Sequence, residues 1–269
     1  MVIDFHTHTF PDKIAEKAIS SLAERSHSQP YTNGTLLGLF NSMERGGVTG
    51  SVILPVVTNP VHTTSVNDVA IKTNEAQDYN SDRYVISFGG MHPDTSDYKT
   101  ELNRLVEHGI KGIKLHPNYQ DTDIDDIRYL RIIEHAASLG LMISIHAGID
   151  IGLPEPIYAS PDKLLHVYEE TKADQLVFAH TGSWKMWDEV EAKLVGLPVY
   201  FDTAFTFDYI DAEQMKRIIS NHGADKILFA TDSPWSDPGR DIKALKGLKL
   251  DAATEDAILY KNACRILNI

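Results

Sequence analysis

Two histidines two residues apart, His6 and His8, lie close to the N-terminus in a run that alternates apolar and polar residues. Alternation at period two is typical of a β-strand and places Asp4, His6 and His8 on the same side. Neutral imidazole nitrogens are favoured ligands of zinc and related divalent cations, so two imidazoles on one strand can reach a single ion. Two polar residues on a solvated strand face are an equally simple interpretation. The pair alone leaves both interpretations open.

More side chains that bind metals or carry protons stand where apolar runs end. They are His92, Lys114, His116, His146, His180, Asp202 and Asp232. A helical pattern follows each run, and in a barrel of parallel strands the carboxyl ends meet at one mouth. A single histidine at a strand end is more often a structural, hydrogen-bonded residue. Because histidines recur on successive strands and accompany the N-terminal pair, a metal site is favoured.

About eight strand-like runs alternate with helix-like runs along the chain. This order predicts an α/β fold of the (β/α)8 TIM-barrel type, with parallel strands inside outer helices and a single domain over residues 1–269. Most runs are continuously apolar, as in a parallel sheet that is buried on both faces. Two helical patterns before the second strand predict a small helical insertion after strand 1. An open doubly wound sheet is the alternative, but the sequence contains neither a Gly-x-Gly-x-x-Gly turn nor a P-loop.

Composition narrows the class of partner. The chain has 25 basic and 38 acidic residues, a formal charge of −13, which argues against nucleic acid or an anionic membrane as a partner. No apolar run has the length of a membrane span and no leader-like segment precedes the first strand, so a cytoplasmic location is expected. The one cysteine, Cys264, excludes an intrachain disulfide. A small-molecule substrate is the expected partner, and a homo-oligomer is compatible with the composition.

The pattern of His6-x-His8, His146, His180 and Asp232 at successive strand ends resembles the amidohydrolase superfamily. The resemblance implies that His6, His8, His146 and Asp232 hold one divalent metal ion, most often zinc. It implies that His180 faces the reacting water or the substrate, or binds a second metal where there is one. On this basis Asp232 and His180 are the predicted catalytic residues. Asp4 and Asp202 are expected to lie behind the ligands and to orient histidines.

Three motifs resemble the amidohydrolase 2 branch of that superfamily, the predicted metal-dependent hydrolases of the TIM-barrel fold. They are Gly-Ile-Lys-Leu-His-Pro at 112–117, Phe-Ala-His-Thr-Gly at 178–182 and Thr-Asp-Ser-Pro-Trp at 231–235. The resemblance covers nearly the whole chain. In binuclear members of the superfamily a lysine on strand 4 is carboxylated and bridges two ions, which makes Lys114 the residue on which a second metal depends. A lysine that binds a substrate carboxylate, or one that pairs with an aspartate, is the competing interpretation.

The chemistry of a metal hydrolase follows from these residue types. Three imidazoles and a carboxylate leave room at zinc for a water molecule, whose pKa falls to about 7. Asp232 can take the proton of that water, and His180 can polarise a substrate carbonyl. The sequence therefore predicts a metal-dependent hydrolase that cleaves an amide, lactone or ester bond in a small organic substrate. Residues after strand ends are candidates for binding the substrate: Lys114, His116, Trp184 and Trp235.

Three alternatives stay open at this point. The amidohydrolase 2 branch also includes decarboxylases of aromatic or unsaturated acids, which use the same metal site. The opening Asp4-x-His6-x-His8 resembles PHP-type phosphoesterases, and the segment 231–234 resembles TatD-type nucleases. The nucleases place a glutamate on strand 4, where this chain has Lys114 and His116. The third alternative is a non-catalytic barrel that retains a metal.

Overall fold

The computed structural model describes residues 1–79 and 81–269. The strands are β1 (Ile3–Thr7), β2 (Gly50–Ile53), β3 (Tyr84–Ser87), β4 (Gly89–Gly90), β5 (Gly112–Leu115), β6 (Met142–Ile145), β7 (Leu176–Phe178), β8 (Tyr200–Asp202) and β9 (Ile227–Leu228). The α-helices are α1 (Asp12–Ser26), α2 (Leu36–Gly46), α3 (Thr63–Glu75), α4 (Tyr98–Glu107), α5 (Ile127–Ser138), α6 (Pro161–Thr171), α7 (Trp187–Lys193), α8 (Ala212–His222), α9 (Pro238–Gly247), α10 (Ala252–Asp256) and α11 (Asn262–Leu267). Strands and helices alternate, as predicted for an α/β fold.

The chain forms two compact units, which are described separately. The first unit comprises Met1–Ile53, Gln77–Ile86 and Asp202–Ile269, and the second comprises Leu54–Ala76 and Ser87–Phe201. The prediction of a single domain over residues 1–269 stays a prediction. No helix in the described part of the chain combines the length and the apolar composition that a membrane span requires.

In the first unit, β1 lies between two neighbours. On one side it pairs in parallel with β2, beyond which lies β3. On the other side Phe5 N donates to Phe229 O at 2.8 Å, and Asp232 N donates to His6 O at 2.9 Å. The chain that continues β9 therefore runs beside β1. This backbone pairing brings the N-terminal histidines next to Asp232.

Helices α1 and α2 stand between β1 and β2, so the predicted helical insertion is present. Thr35 caps α2, since its hydroxyl accepts a hydrogen bond from Gly38 N at 2.9 Å. Gly47 ends the helix with a φ of +72°, a left-handed conformation that glycine adopts without strain. Residues from α2 and the neighbouring strands form a buried cluster. Its members are Leu39, Met43, Val48, Ile53 and Val85.

In the second unit, β4, β5, β6, β7 and β8 are hydrogen-bonded neighbours in sequence order, and each successive pair is parallel. The register places Lys114 opposite Ser144 on β5 and β6. His116 and His146 each follow the last residue of their strand, and His146 N donates to Leu115 O at 3.0 Å. Two neighbouring strands thus end with a histidine.

One predicted strand is split. The apolar run Tyr84–Met91 predicts one strand, whereas the structure has β3 and β4 with a break between them. The break has a physical cause, because the amide of Asn74 bonds both backbone groups of Ser87, at 2.6 and 2.9 Å. Asn67 Oδ1 likewise accepts from Gly90 N at 2.8 Å. Amide side chains of α3 therefore replace part of the strand ladder.

Candidate metal centre

Three ligand groups meet in the first unit: His6, His8 and Asp232, which we call the N-terminal cluster. The two Nε2 atoms are 3.1 Å apart, and Asp232 Oδ1 lies 3.4 Å from His6 Nε2 and 3.0 Å from His8 Nε2. Ligands at about 2.1 Å from a tetrahedral zinc ion are separated by roughly 3.4 Å, and those of an octahedral ion by roughly 3.0 Å. The N-terminal cluster therefore has the spacing that a divalent cation requires.

A carboxylate behind the N-terminal cluster orients its most buried ligand. Asp202, which is fully buried, accepts a hydrogen bond from His6 Nδ1 at 2.9 Å. A proton held on Nδ1 leaves the lone pair on Nε2, the nitrogen that faces His8 and Asp232. Asp202 is itself held in place, because its Oδ1 accepts from Ala204 N at 3.0 Å. Asp202 thus has the orienting role that the sequence indicated.

Asp4 has a different role from the one expected. Its carboxylate accepts from Thr231 N at 3.0 Å, from the Thr231 hydroxyl at 2.6 Å and from His6 N at 3.3 Å. It therefore holds backbone on both sides of the N-terminal cluster rather than an imidazole ring. Burial raises the pKa of Asp4 to about 7, against the opposing effect of the Thr231 hydrogen bonds. Asp232, the next residue after Thr231, has a φ of +66°, which this hydrogen-bonded frame maintains.

A second group of potential ligands lies in the second unit: His116, His146 and Asp150, which we call the central cluster. All three residues are buried. Asp150 Oδ2 lies 3.8 Å from His116 Nε2 and 3.5 Å from His146 Nε2. The two imidazole rings are stacked, with centroids 4.1 Å apart and planes within 8°. Tyr119 stacks on the other face of His116, also at 4.1 Å.

His180 adjoins the central cluster through His146. Its Nε2 lies 3.1 Å from His146 Nδ1, and the two rings meet edge to face. The backbone of His180 is left-handed, with a φ of +61°, and its carbonyl accepts from Trp187 Nε1 at 3.1 Å. The structure therefore brings together two histidines that the sequence assigned to the site, one as a ligand and one as a catalytic residue. Neither role is tested by this geometry.

The predicted substrate-binding residues differ in their exposure. Lys114 is 1% exposed and His116 is buried within the central cluster. Trp184 is buried, and its backbone bonds to Ala147 O at 2.9 Å. Trp235 is half-buried and its N donates to Asp232 O at 2.8 Å. Substrate binding by these four residues, and a carbamate on Lys114, stay predictions.

Asp150 is the potential ligand that the sequence did not predict. It lies in the long loop after β6, four residues after His146. An acidic residue soon after a strand-end histidine was the only available signal. By contrast His92, another strand-end histidine, has a structural contact, since its Nδ1 accepts from Asp94 N at 3.1 Å. Burial lowers the pKa of His92.

Solved structures resemble this chain over nearly its full length. An uncharacterised TIM-barrel protein from Bordetella bronchiseptica matches with a TM-score of 0.77 at 15% identity, over 99% of this chain and 98% of that one. A dihydroxybenzoic acid decarboxylase from a Polaromonas species, with bound manganese and the inhibitor 2-nitroresorcinol, matches at 0.70 and 14%, over 99% and 96%. A probable 2-pyrone-4,6-dicarboxylic acid hydrolase from Acinetobacter baumannii matches at 0.67 and 16%, over 100% and 99%. These likenesses confirm the (β/α)8 TIM-barrel fold.

A family model described as amidohydrolase matches residues 3–269. The chain therefore belongs to the amidohydrolase 2 family of enzymes, as the motifs predicted. A comparison with curated proteins finds no match. Decarboxylases of aromatic acids also recur among the other solved structures that match.

Proposed function

We propose that this chain is a metal-dependent decarboxylase that acts on a small aromatic or unsaturated acid. The observation that carries the proposal is the N-terminal cluster, His6, His8 and Asp232, whose ligand atoms lie 3.0 to 3.4 Å apart. The recurrence of aromatic-acid decarboxylases among proteins of the same fold favours this reaction over hydrolysis. The sequence alone had ranked the two reactions in the opposite order.

The metal in this proposal is a divalent ion. Two imidazoles and a carboxylate suit zinc and manganese alike, and the Polaromonas decarboxylase contains manganese, so zinc is one of two candidates. When bound, the ion would supply positive charge that attracts the carboxylate of the substrate. The resemblance to the superfamily adds His146 to the ligands of this ion, and that assignment stays a prediction.

The reaction needs a proton donor. Decarboxylation breaks the bond between the carboxyl carbon and its neighbour; the electron pair stays on that neighbour, and CO2 leaves. A proton must then be added to the carbon, and Asp232 is the proposed donor because its carboxyl group lies beside His6 and His8. Solvent returns the proton to Asp232 after each turnover. His180 is proposed to donate a hydrogen bond to an oxygen of the substrate.

The test is a substrate panel in which CO2 and the organic product are measured together. The protein is freed of metal with a chelator and reloaded with zinc or manganese. It is then assayed with 2,6-dihydroxybenzoate, 5-carboxyvanillate and 2-pyrone-4,6-dicarboxylate. We expect equal amounts of CO2 and the corresponding phenol from at least one aromatic acid. His8→Ala should abolish the activity, and His108→Ala, which removes an exposed histidine, should preserve it.

Hydrolysis is the second candidate function. The likeness to a probable 2-pyrone-4,6-dicarboxylic acid hydrolase favours a lactone as its substrate. In that case the same panel would give a ring-opened product and no CO2, which would contradict the decarboxylase proposal. Membership of the amidohydrolase 2 family leaves the phosphoesterase alternative without support.

A further inference from the structure

We propose that a cavity between α4 and α5 binds a small organic anion, a carboxylate attached to a flat ring. The cavity lies within the second unit and has a volume of about 460 Å³. Pockets for small ligands have volumes of about 300–1,000 Å³, so a ring with one acid group fits. Two residues of α4 and four of α5 line the cavity: Tyr98, Lys99, Arg131, Glu134, His135 and Ser138. None of them belongs to the N-terminal cluster, so the proposal goes beyond the proposed function.

The part of the cavity that α5 contributes is one face of that helix. Its four lining residues follow one another at intervals of three, one and three positions, which places them on the same side of an α-helix. The opposite side consists of buried residues: Tyr129, Ile132, Ile133 and Ala136. Packing of this buried side holds α5 in place. The polar side therefore faces the cavity without contributing to the core.

Two cations at the cavity have no protein partner. Within the described part of the chain, neither Lys99 nor Arg131 forms a salt bridge or a side-chain hydrogen bond. By contrast Arg104, also on α4, has its Nη2 2.7 Å from Glu101 Oε1. Glu134, the carboxylate in the lining, offsets one of the two charges. In a chain with a formal charge of −13, the cavity is thus a local positive region that favours an anion.

Two rings give the cavity an apolar surface beside the cations. Tyr98 and His135 meet edge to face, with centroids 6.2 Å apart and planes at 84°. His135 Nε2 is buried and has no hydrogen-bond partner among the described residues. A buried polar atom without a partner is costly. An acid oxygen in the cavity would supply the acceptor that a proton on this nitrogen needs.

These side chains restrict the class of ligand. The planar guanidinium of Arg131 presents paired N–H groups that match the two oxygens of a carboxylate, and Lys99 adds a point charge. The two rings favour a flat group next to the acid. An aromatic carboxylate has both features. Because both cations are exposed, water and salt screen their attraction, and we expect binding in the millimolar range.

The experiment measures benzoate binding to the chelator-treated protein by ligand-observed NMR, with acetate and inorganic phosphate as comparisons. We expect benzoate to bind more tightly than either. Arg131→Gln and Lys99→Gln should each weaken benzoate binding by about 10-fold or more, because each removes a charged hydrogen-bond donor. The matched control is Lys111→Gln, which removes an exposed lysine of the same unit outside the cavity and should leave the affinity unchanged.

A further variant tests the ring surface. Tyr98→Leu should weaken benzoate binding by about 2–10-fold and leave acetate binding unchanged. Phosphate that binds more tightly than benzoate would overturn the assignment to an aromatic carboxylate. An equal loss in Lys111→Gln would show a general effect of charge and would overturn the site itself.

The variants separate the failure of this inference from that of the proposed function. Benzoate binding that persists in Arg131→Gln and is lost in His8→Ala overturns the cavity site and leaves the proposed function intact. Benzoate binding that is lost in Arg131→Gln and persists in His8→Ala supports the cavity site. In that case, failure to release CO2 from any acid of the panel contradicts the proposed function alone.

Discussion

The N-terminal cluster and the central cluster contain the same residue types but hold their carboxylates differently. Asp232 is attached to strand backbone, since its N donates to the carbonyl of His6 itself. Asp150 belongs to a loop and is oriented by two amides of that loop. The ligand atoms are 3.0 to 3.4 Å apart in the first case, whereas the central carboxylate stands 3.5 and 3.8 Å from its histidines. Backbone pairing sets ligand spacing more tightly than a loop does.

The groups that support the histidines also differ. In the N-terminal cluster a buried carboxylate, Asp202, bonds the rear nitrogen of His6. In the central cluster aromatic stacking by Tyr119 holds the plane of His116. A charged hydrogen bond fixes the tautomer and increases the basicity of the ligand nitrogen, while stacking fixes only the ring plane. The hydrogen bond from Asp202 therefore prepares His6 as a metal ligand.

The largest effect is expected for Asp232→Asn. The substitution removes the proposed proton donor and a metal ligand, so we expect kcat/KM to fall by about 10²–10⁴-fold. Steady-state assays with the best substrate of the panel measure this loss. Asp12→Asn, which removes an exposed aspartate in the first turn of α1, is the matched control and should be neutral. Retention of more than a tenth of the activity in Asp232→Asn would contradict the role of Asp232.

The next largest effect is expected for Asp202→Asn. An amide at this position bonds His6 Nδ1 without the negative charge, and it can reverse the tautomer of the ring. Loss of such an orienting carboxylate weakens metal binding by about 10–100-fold. Competition with a chromophoric chelator measures the zinc Kd of the N-terminal cluster. Asp12→Asn, the exposed control, should leave this Kd unchanged, and a changed circular dichroism spectrum in Asp202→Asn would indicate a general loss of structure instead.

The stability of the protein should depend on pH through Asp241, a residue of the first unit. Burial raises the pKa of Asp241 from 3.8 to about 8, although Ser236 Oγ donates to its Oδ1 at 2.9 Å. A raised pKa in the folded protein means that the folded state holds a proton which the unfolded state has released. The contribution of Asp241 to stability is therefore present at acidic pH and is lost as the pH rises from about 4 to about 8.

Asp241→Asn tests this effect because the amide keeps the acceptor for Ser236 and cannot ionise. We expect the variant to match the wild type at about pH 4 and to be more stable above about pH 8 by at least 1 kcal/mol, or about 2–4 °C in Tm. Thermal unfolding followed by circular dichroism measures the difference. The control is Asp237→Asn, which retains the cap of α9. A difference between the Asp241 variant and wild type that does not grow with pH would refute the assignment.

The smallest effect is expected for Tyr119→Leu. The stacking contact with His116 is worth about 0.5–1.5 kcal/mol, so the free energy of unfolding should fall by about that amount. Tyr119→Phe keeps the ring and should be as stable as the wild type. Urea unfolding measures the difference, and an equal loss in both variants would show that the substitution acts by some route other than the stack.

Sequence alone was sufficient for the fold class and for the family. Alternating strand and helix patterns predicted the (β/α)8 fold, and the family match confirms the family that the motifs indicated. Periodicity placed His6 and His8 on one strand face, and the resemblance to the amidohydrolase superfamily added Asp232 to them. Local periodicity and strand order carry the fold class, so the fold class can be read without coordinates.

Only the tertiary structure decided which carboxylates bond a histidine ring, which bond backbone and which face the histidines as potential ligands. Asp4 shares a strand face with His6 but bonds Thr231, while Asp202, from a distant part of the chain, bonds the His6 ring. Asp150 faces His146 because two backbone amides in a turn hold its other oxygen. These contacts depend on loop conformation and on pairing between distant segments, neither of which leaves a periodic pattern in the sequence. The types of ligand are therefore a property of the sequence, and their grouping is a property of the folded chain.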